Sequence, residues 1–252
     1  MRTFLFTCLT FFVSFTVSAQ EAVNFKLNPE IGKPIQMNML MKTDIDGPQS
    51  VIMDMKMKME TLPAKKENEN FIFENVIKAI KADIDAGMMT VSYNSEEEST
   101  DETARMLGEQ FSKIIDQKIS SVVSEKGKTI DLDLPASFAA QGFDASSFSN
   151  MSPSFPENAV TPGESWEGTS QVPENPLFST IKMTSTFLEE NQEGYVIHID
   201  GKMLQDSGEE IGTMVGHYTL DKQTHFTKAS SVKTTVTVQG STIISEVEVV
   251  AE

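Results

Sequence analysis

Seven methionines recur at every second residue in two neighbouring segments, residues 35–41 and 53–59. Alternation with a period of two is typical of β-strands, because successive side chains of a strand point to opposite faces. If the chain folds back across residues 44–49, all seven thioethers share one face of a hairpin. The pairs then predicted are Met41 with Met53, Met39 with Met55 and Met37 with Met57.

A face of thioethers can serve three purposes, and the spacing alone leaves all three open. Methionine fills irregular space in a core, and it also lines adaptable sites that accept varied apolar ligands. Its sulfur is in addition a soft donor that suits Cu(I). Adjacent same-face Cα atoms of a strand lie about 7 Å apart, which disfavours convergence of the sulfurs on one copper ion.

Other side chains that carry chemistry form no recognised catalytic or metal-binding pattern. The three histidines, His198, His217 and His225, make neither an H-x-H nor an H-E-x-x-H pair. Residues 163–167 miss the G-x-S-x-G nucleophile motif, because Glu167 stands where the second glycine belongs. We therefore expect a non-enzymatic protein without a cofactor or a metal site.

Three Asp-x-Asp pairs occur, and two of them lie in predicted turns, where aspartate is favoured because it bonds its own backbone. None extends to the D-x-[DN]-x-[DN]-G loop that binds Ca²⁺. The pairs are Asp44/Asp46, Asp83/Asp85 and Asp131/Asp133.

One segment changes to helical spacing. Ser99 and Glu102 form an S-x-x-E capping box after an acidic run, a combination that favours a helix N-terminus. The pattern predicts one long amphipathic helix over residues 100–120, with an apolar stripe that must lie on a sheet. The stripe consists of Ala104, Leu107, Phe111, Ile114, Ile115 and Ile119.

Most of the remaining chain alternates like strands separated by short turns. Residues 73–84 fit both helical and strand spacing, and the Asp/Gly turn that follows favours a strand. Residues 135–162 show no sustained period, so we expect an irregular segment that flanks a functional site. Consecutive strands joined by short turns pair antiparallel. The fold class predicted is mainly β (α+β), a large curved antiparallel meander or half-barrel with the helix on its apolar face.

These elements predict an apolar cleft between the helix and the methionine strands. Trp166 is added as the single tryptophan, at a strand start where it seals the core or stacks on a ligand. The predicted ligand-binding residues are Met37, Met39, Met41, Met53, Met55, Met57, Leu107, Phe111, Ile114 and Trp166.

Residues 155–166 resemble the P-x-x-x-V-x-x-G-[DE]-x-W box of an uncharacterised secreted bacterial family of unknown function. Residues 91–95 resemble that family's Y-D-S strand end, with Asn94 in place of aspartate, and residues 124–128 resemble its s-x-x-G-x turn. Its D-x-x-T-G turn is matched with His225 at the glycine position. More remotely, the order of helix and curved sheet is similar to LolA-like periplasmic carriers of lipids and lipoproteins. That likeness implies acyl chains held between an incomplete barrel and its helix.

The first nineteen residues are predicted to be a cleaved signal peptide, with Arg2, an apolar stretch and a small-residue site ending at Ala19. Cys8, the single cysteine, precedes most of that stretch, so no lipid-modified cysteine is expected. Loss of Arg2 takes the formal net charge from −17 to −18. Such an acidic chain repels nucleic acid. A single β-rich domain, residues 20–252, remains.

The sequence thus predicts an exported, soluble, non-enzymatic protein of the periplasm or the extracellular space, without a transmembrane anchor. Its leading hypothesis is a lipid-like ligand bound between sheet and helix. The alternative is a structural or protein-interaction domain with a filled core that contacts an envelope protein. Cu(I) binding by the methionines is the third hypothesis.

Overall fold

The computed structural model describes residues 21–139, 154–172, 175, 177–238 and 240–252. The predicted signal peptide, Cys8 and residues 140–153 of the predicted irregular segment lie outside this described part. Twelve antiparallel strands form one sheet that does not close into a barrel, and the described residues include two helices. The prediction of a mainly β, curved meander is confirmed.

The strands and helices follow in chain order. They are β1 (Ile35–Asp46), β2 (Val51–Glu67), β3 (Asn70–Asp85), β4 (Thr90–Asn94), α1 (Glu102–Phe111), β5 (Lys118–Ser124), β6 (Thr129–Asp133), α2 (Ala136–Ala139), β7 (Ser165–Gln171), β8 (Thr180–Glu190), β9 (Tyr195–Leu204), β10 (Glu210–Leu220), β11 (Thr227–Val238) and β12 (Ser241–Ala251).

The sheet consists of two meanders that meet at its middle. Its order is β6-β5-β3-β2-β1-β12-β11-β10-β9-β8-β7, with β4 paired to β3 beside β5. From β1 the chain runs outward to the edge strand β6. It then connects to the opposite edge at β7 and returns strand by strand to β12, which pairs with β1. The pairing of the first strand with the last one has no local sequence signal.

The methionine hairpin forms on the predicted face with a different register. Met37 lies opposite Met59, Met39 opposite Met57 and Met41 opposite Met55. The predicted pairs were wrong by two residues because β1 runs on to Asp46 and the turn lies later. A shift by two residues leaves every side chain on its original face, whereas a shift by one would reverse the faces.

The helix is shorter than predicted. Helix α1 has ten residues, and its N-cap is Asp101, whose carboxylate accepts the Ala104 amide at 2.8 Å, rather than Ser99. After the helix the chain turns, Asp116 adopts a positive φ of 58°, and Ile119 belongs to β5. The predicted helix was therefore too long, because the chain turns over residues 112–117 and residues 118–120 pair with β3.

The ambiguous residues 73–84 lie within β3, in agreement with the strand interpretation. The predicted hairpins on either side of α1 are confirmed, because β4 pairs with β3 and β6 pairs with β5. One edge of β3 thus pairs with both β4 and β5, and α1 with the turn after it connects these two strands. Neither described helix has the length and apolar composition needed to span a membrane.

An aromatic cluster fills one end of the curved sheet. The segment before β1 crosses this end, where the Val23 and Val160 amides bond each other's carbonyls and the Leu27 amide bonds Glu125 O. Phe25 is fully buried at its centre. We call this group the aromatic plug, and its rings belong to Phe25, Phe155, Trp166, Phe187, Tyr195 and His225.

Lys126 holds three segments together beside the aromatic plug. Its ammonium donates to the carbonyls of Phe25 at 3.2 Å, Pro156 at 2.7 Å and Glu157 at 3.3 Å. It also donates to Asn24 Oδ1 at 3.2 Å. Burial lowers the pKa of Lys126 from its ordinary value. The side chain thereby supplies a donor to carbonyls that no strand partner satisfies.

His225 belongs to the same plug. It adopts a positive φ of 51°, and its Nδ1 lies 2.8 Å from the Lys26 carbonyl oxygen and 3.0 Å from the Lys26 amide nitrogen. Its ring contacts those of Phe25 and Tyr195 at centroid distances of 5.4 and 5.5 Å. Burial lowers the pKa of His225, although the Lys26 backbone and Asp221 act in the opposite direction. The folded state therefore favours the neutral imidazole.

Replacement of Lys126 by methionine is expected to lower the free energy of unfolding by about 2 kcal/mol, because hydrogen bonds to a charged group are lost and carbonyls stay unsatisfied. Urea denaturation measures the loss. The matched control is Lys128→Met, since Lys128 is exposed two residues along the same turn. Equal effects of the two substitutions would contradict the assigned role.

His225 is expected to make stability fall on mild acidification. The unfolded imidazole titrates near 6.5, and the folded one at a lower pH. As the pH falls below about 6.5, the unfolded state takes up the proton first, so the free energy of unfolding declines until the folded imidazole also titrates. Urea denaturation between about pH 7 and pH 5.5 should show this decline in the wild-type protein and a flatter curve for His225→Gln.

Candidate ligand-binding surface

The candidate site is the concave face of β1 and β2. We call its seven thioethers the methionine surface, and they belong to Met37, Met39, Met41, Met53, Met55, Met57 and Met59. Five of them are buried, with exposed fractions between 1% and 8%. Met41 and Met53 are half-buried. Lysines and other polar side chains occupy the alternate, convex positions, as the sequence pattern predicts.

The methionine surface is covered by α1, by the turn after it and by Phe138 from α2. Phe111, Ile114 and Phe138 are buried against it, and Leu107 is half-buried at its margin. Helix α1 can approach β4 closely because Gly108 faces Tyr93. A Cβ atom at Gly108 would lie 2.8 Å from the tyrosine ring. The short helix is thereby held over the concave face of the sheet.

The methionine surface has a closed end and an open end. Met37 and Met59 lie at the closed end, where their exposed fractions are 3% and 1%. At the other end, Met41 and Met53 are half-buried beside Val247 of β12. Apolar side chains are therefore accessible near the turns that join β1 to β2 and β11 to β12.

The structure brings nine of the ten predicted site residues into one cluster and leaves one out. The six predicted methionines, Leu107, Phe111 and Ile114 all pack together. Trp166 lies instead in the aromatic plug, where its indole nitrogen donates to Ser154 O at 2.7 Å and its ring lies 6.2 Å from Phe25. The tryptophan thus seals one end of the core.

Several residues of the cluster were absent from the predicted site. Met59 belongs to the same alternation, so the sequence pattern already contained it. Tyr93, Phe138 and Val247 come from three other elements, and their proximity depends on strand order and on the path of the chain after β6. The sequence carries no signal for that proximity.

The two described parts of the irregular segment lie in different places. Phe138, near its start, packs against the methionine surface. Residues 154–162 lie at the aromatic plug, and the Phe155 amide donates to Lys126 O at 2.8 Å. Two cavities of about 320 Å³ also lie away from α1. One is beside Glu190 and Lys222, and the other is on the convex face beside Leu40. Because side chains already pack under α1, a ligand would have to displace some of them.

The described residues contain no group of three or more His, Cys, Asp or Glu side chains arranged to hold a metal ion. Thioethers are a different class of ligand, suited to soft ions such as Cu(I). The Thr61 hydroxyl donates to Met37 Sδ at 3.3 Å, so one thioether of the surface is engaged in a hydrogen bond. The Cu(I) hypothesis and the expectation of a non-enzymatic protein both stay predictions.

Comparisons with known proteins give a likeness of fold. No protein-family model matches the chain, and no curated protein does. Among solved structures, one reported as "Lipid-protein interactions in lipovitellin" matches with a TM-score of 0.52 and 11% identity, over 88% of this chain and 25% of that one. The chain thus spans a quarter of the lipovitellin chain.

A second solved structure, a domain described as an outer membrane lipoprotein-sorting protein from Vibrio parahaemolyticus, matches with a TM-score of 0.27 and 7% identity. It covers 86% of this chain and 83% of that one. A TM-score this low supports no conclusion about this chain. The likeness to lipovitellin, at its low identity, concerns the fold alone.

The N-cap of α1 is expected to stabilise the cover of the methionine surface. Replacement of Asp101 by alanine should lower the free energy of unfolding by about 1 kcal/mol, because the Ala104 amide loses its acceptor. Guanidinium denaturation measures the change. Ser99→Ala is the control and should cost less, since Ser99 bonds only the Asp101 amide, at 3.2 Å. A larger loss at Ser99 would restore the capping box predicted from the sequence.

Proposed function

We propose that this protein is an exported, non-enzymatic carrier that binds an apolar, lipid-like ligand on the methionine surface. The ligand enters at the open end, beside Met41 and Met53, and lies under α1. Leu107 and Phe111 of the helix contact it from the opposite side. The family resemblance and the predicted signal peptide support export of the chain from the cytoplasm.

One observation carries the proposal. A continuous row of same-face thioethers runs from the buried core to half-buried positions at the end of the hairpin. Methionine is unbranched and has three rotatable side-chain bonds, so a methionine-lined surface repacks around varied apolar groups. A ligand that enters at Met41 and Met53 can therefore displace flexible side chains rather than branched ones.

The driving force is ordinary burial of apolar area. Each methylene of a ligand that leaves water contributes about 0.8 kcal/mol. This burial requires no charged partner. The fold likeness to lipovitellin, a protein studied for its lipid interactions, adds support of a general kind.

A filled-core interaction domain is the alternative, and the burial of five thioethers favours it. Met37, Met57 and Met59 have exposed fractions of 3% or less without any ligand. In that case the methionine surface only packs the core, and partners contact the convex face. A carrier binds its ligand through Met41 and Met53, so substitutions at the open end weaken binding. A filled-core domain shows no such dependence.

The test measures binding of cis-parinaric acid, a fluorescent fatty acid, to the full chain purified without detergent. Replacement of both Met41 and Met53 by glutamine should weaken binding about tenfold, because the loss of roughly two methylene equivalents of contact costs about 1.4 kcal/mol. The matched control replaces Met88 and Met89 by glutamine. Their exposed fractions are 102% and 53%, and they lie in the β3–β4 turn.

Thermal unfolding of both double variants checks that the fold is intact. Wild-type protein that binds no cis-parinaric acid would contradict the carrier function and favour the filled core. Equal affinity of wild type and the Met41/Met53 variant would place the ligand elsewhere. Native mass spectrometry of the gently purified protein should in addition show an adduct that organic extraction removes.

A further inference from the structure

Two of the three histidines become neighbours through strand pairing. His198 of β9 lies directly opposite His217 of β10 in the antiparallel register. No spacing in the sequence indicates this pair, because it depends on the turn between the two strands. The third histidine, His225, lies in the aromatic plug.

Both imidazoles project from the convex face of the sheet. Their strand neighbours Ile197, Ile199 and Tyr218 are buried on the concave side, with exposed fractions of 0%, 0% and 4%. Alternation along each strand therefore directs His198 and His217 to the solvent. The His198 side chain is 35% exposed, and His217 is exposed. An ion in solution can reach both rings.

The spacing of the two residues suits chelation. Directly opposite residues of an antiparallel pair have Cβ atoms about 4.5–5.5 Å apart. Two imidazole nitrogens at about 2.0–2.1 Å from one ion are compatible with that separation, because rotation about the side-chain bonds can direct one nitrogen of each ring towards the same ion. Imidazole is a preferred ligand of Zn²⁺, Cu²⁺ and Ni²⁺.

A carboxylate lies beside the pair. Asp200 Oδ2 is 2.9 Å from His198 Nε2, two residues along the same strand. Thr186 of β8 lies opposite His198, and Ser231 of β11 lies opposite His217, so small hydroxyl side chains flank the rings. The negative charge favours a cation here, and the small neighbours leave space for water ligands.

We propose that His198 and His217 chelate one divalent late first-row transition-metal ion on the convex face. Water completes the coordination shell, and Asp200 attracts the cation. Cu²⁺ binds most tightly and Zn²⁺ less tightly, in the order that such ligands generally follow. The bound ion links β9 to β10. The site is separate from the methionine surface, so neither proposal depends on the other.

The test uses Cu²⁺ in isothermal titration calorimetry and Zn²⁺ in thermal unfolding, with the full chain. Wild type should bind one Cu²⁺ ion, and His198→Gln or His217→Gln should each weaken binding about 100-fold, because the second ligand no longer acts intramolecularly. Zn²⁺ should raise the unfolding temperature of wild type, since an ion that binds only the folded state stabilises it. It should not raise that of the variants.

A transposed variant, which keeps the number of histidines but changes their positions, tests whether the two rings must be opposite each other. Thr213→His combined with His217→Thr moves the imidazole four residues along β10, to an exposed position opposite Lys202. The moved imidazole then lies about 13 Å further along the strand, beyond the reach of one ion shared with His198, so this variant should bind Cu²⁺ as weakly as the single variants do. Asp200→Asn should weaken binding less than loss of either histidine.

Two results would overturn the proposal. One is Cu²⁺ affinity of the transposed variant equal to that of wild type. The other is Zn²⁺ stabilisation that persists in the His198→Gln and His217→Gln proteins. Binding of cis-parinaric acid serves as the readout of the methionine surface and should be unchanged in all of these variants, so failure of one site is distinguishable from failure of the other.

Discussion

The pairing of β1 with β12 is the constraint on which the rest of the structure depends. Ten residue pairs, from Met37 with Ala251 to Asp46 with Thr242, join the two halves of the chain. Without this pairing the sheet would be two separate meanders, each with an extra free edge. Because β1 lies in the middle, its methionines have neighbours on both sides and can be buried under a short helix.

The two ends of the concave face are filled by different kinds of side chain. The aromatic plug combines rigid rings with fixed hydrogen bonds, such as those of Lys126 and the Trp166 indole. The methionine surface combines flexible thioethers with one short helix. Rigid rings specify a single packing arrangement, whereas thioethers tolerate several. The aromatic end therefore has one packing arrangement, and the methionine end can accommodate change.

Local sequence patterns predicted most of the strands. The strand register and the end of α1 depend on long-range geometry, which these patterns do not contain. The alternation of methionines determined which face they share, but not their register, because a shift by two residues preserves the pattern. Helical spacing over residues 100–120 predicted the start of α1 to within two residues, since the helix begins at Glu102. It continued too far because the apolar residues near Ile119 satisfy strand pairing with β3 equally well.

In the candidate site, too, local patterns predicted some of the residues and long-range geometry determined the others. Nine predicted residues meet because β1, β2 and α1 with the turn after it have apolar faces that must pack together. Trp166 does not join them, since β7 lies at the edge of the sheet and β1 at its centre. For a related reason, the sequence does not indicate the pair of His198 and His217. Its members adjoin only after β9 and β10 have taken their register, which no motif in the sequence encodes.

The methionines differ in burial, and this difference also determines the order in which they are oxidised. An oxidant in the surrounding medium reaches Met88 and Met106 first, since their exposed fractions are 102% and 59%. Conversion of a thioether to a sulfoxide adds a polar, chiral group that disrupts an apolar surface. The exposed thioethers of Met88 and Met106 are thus oxidised before the buried ones of Met57 and Met59, which the fold shields from the medium.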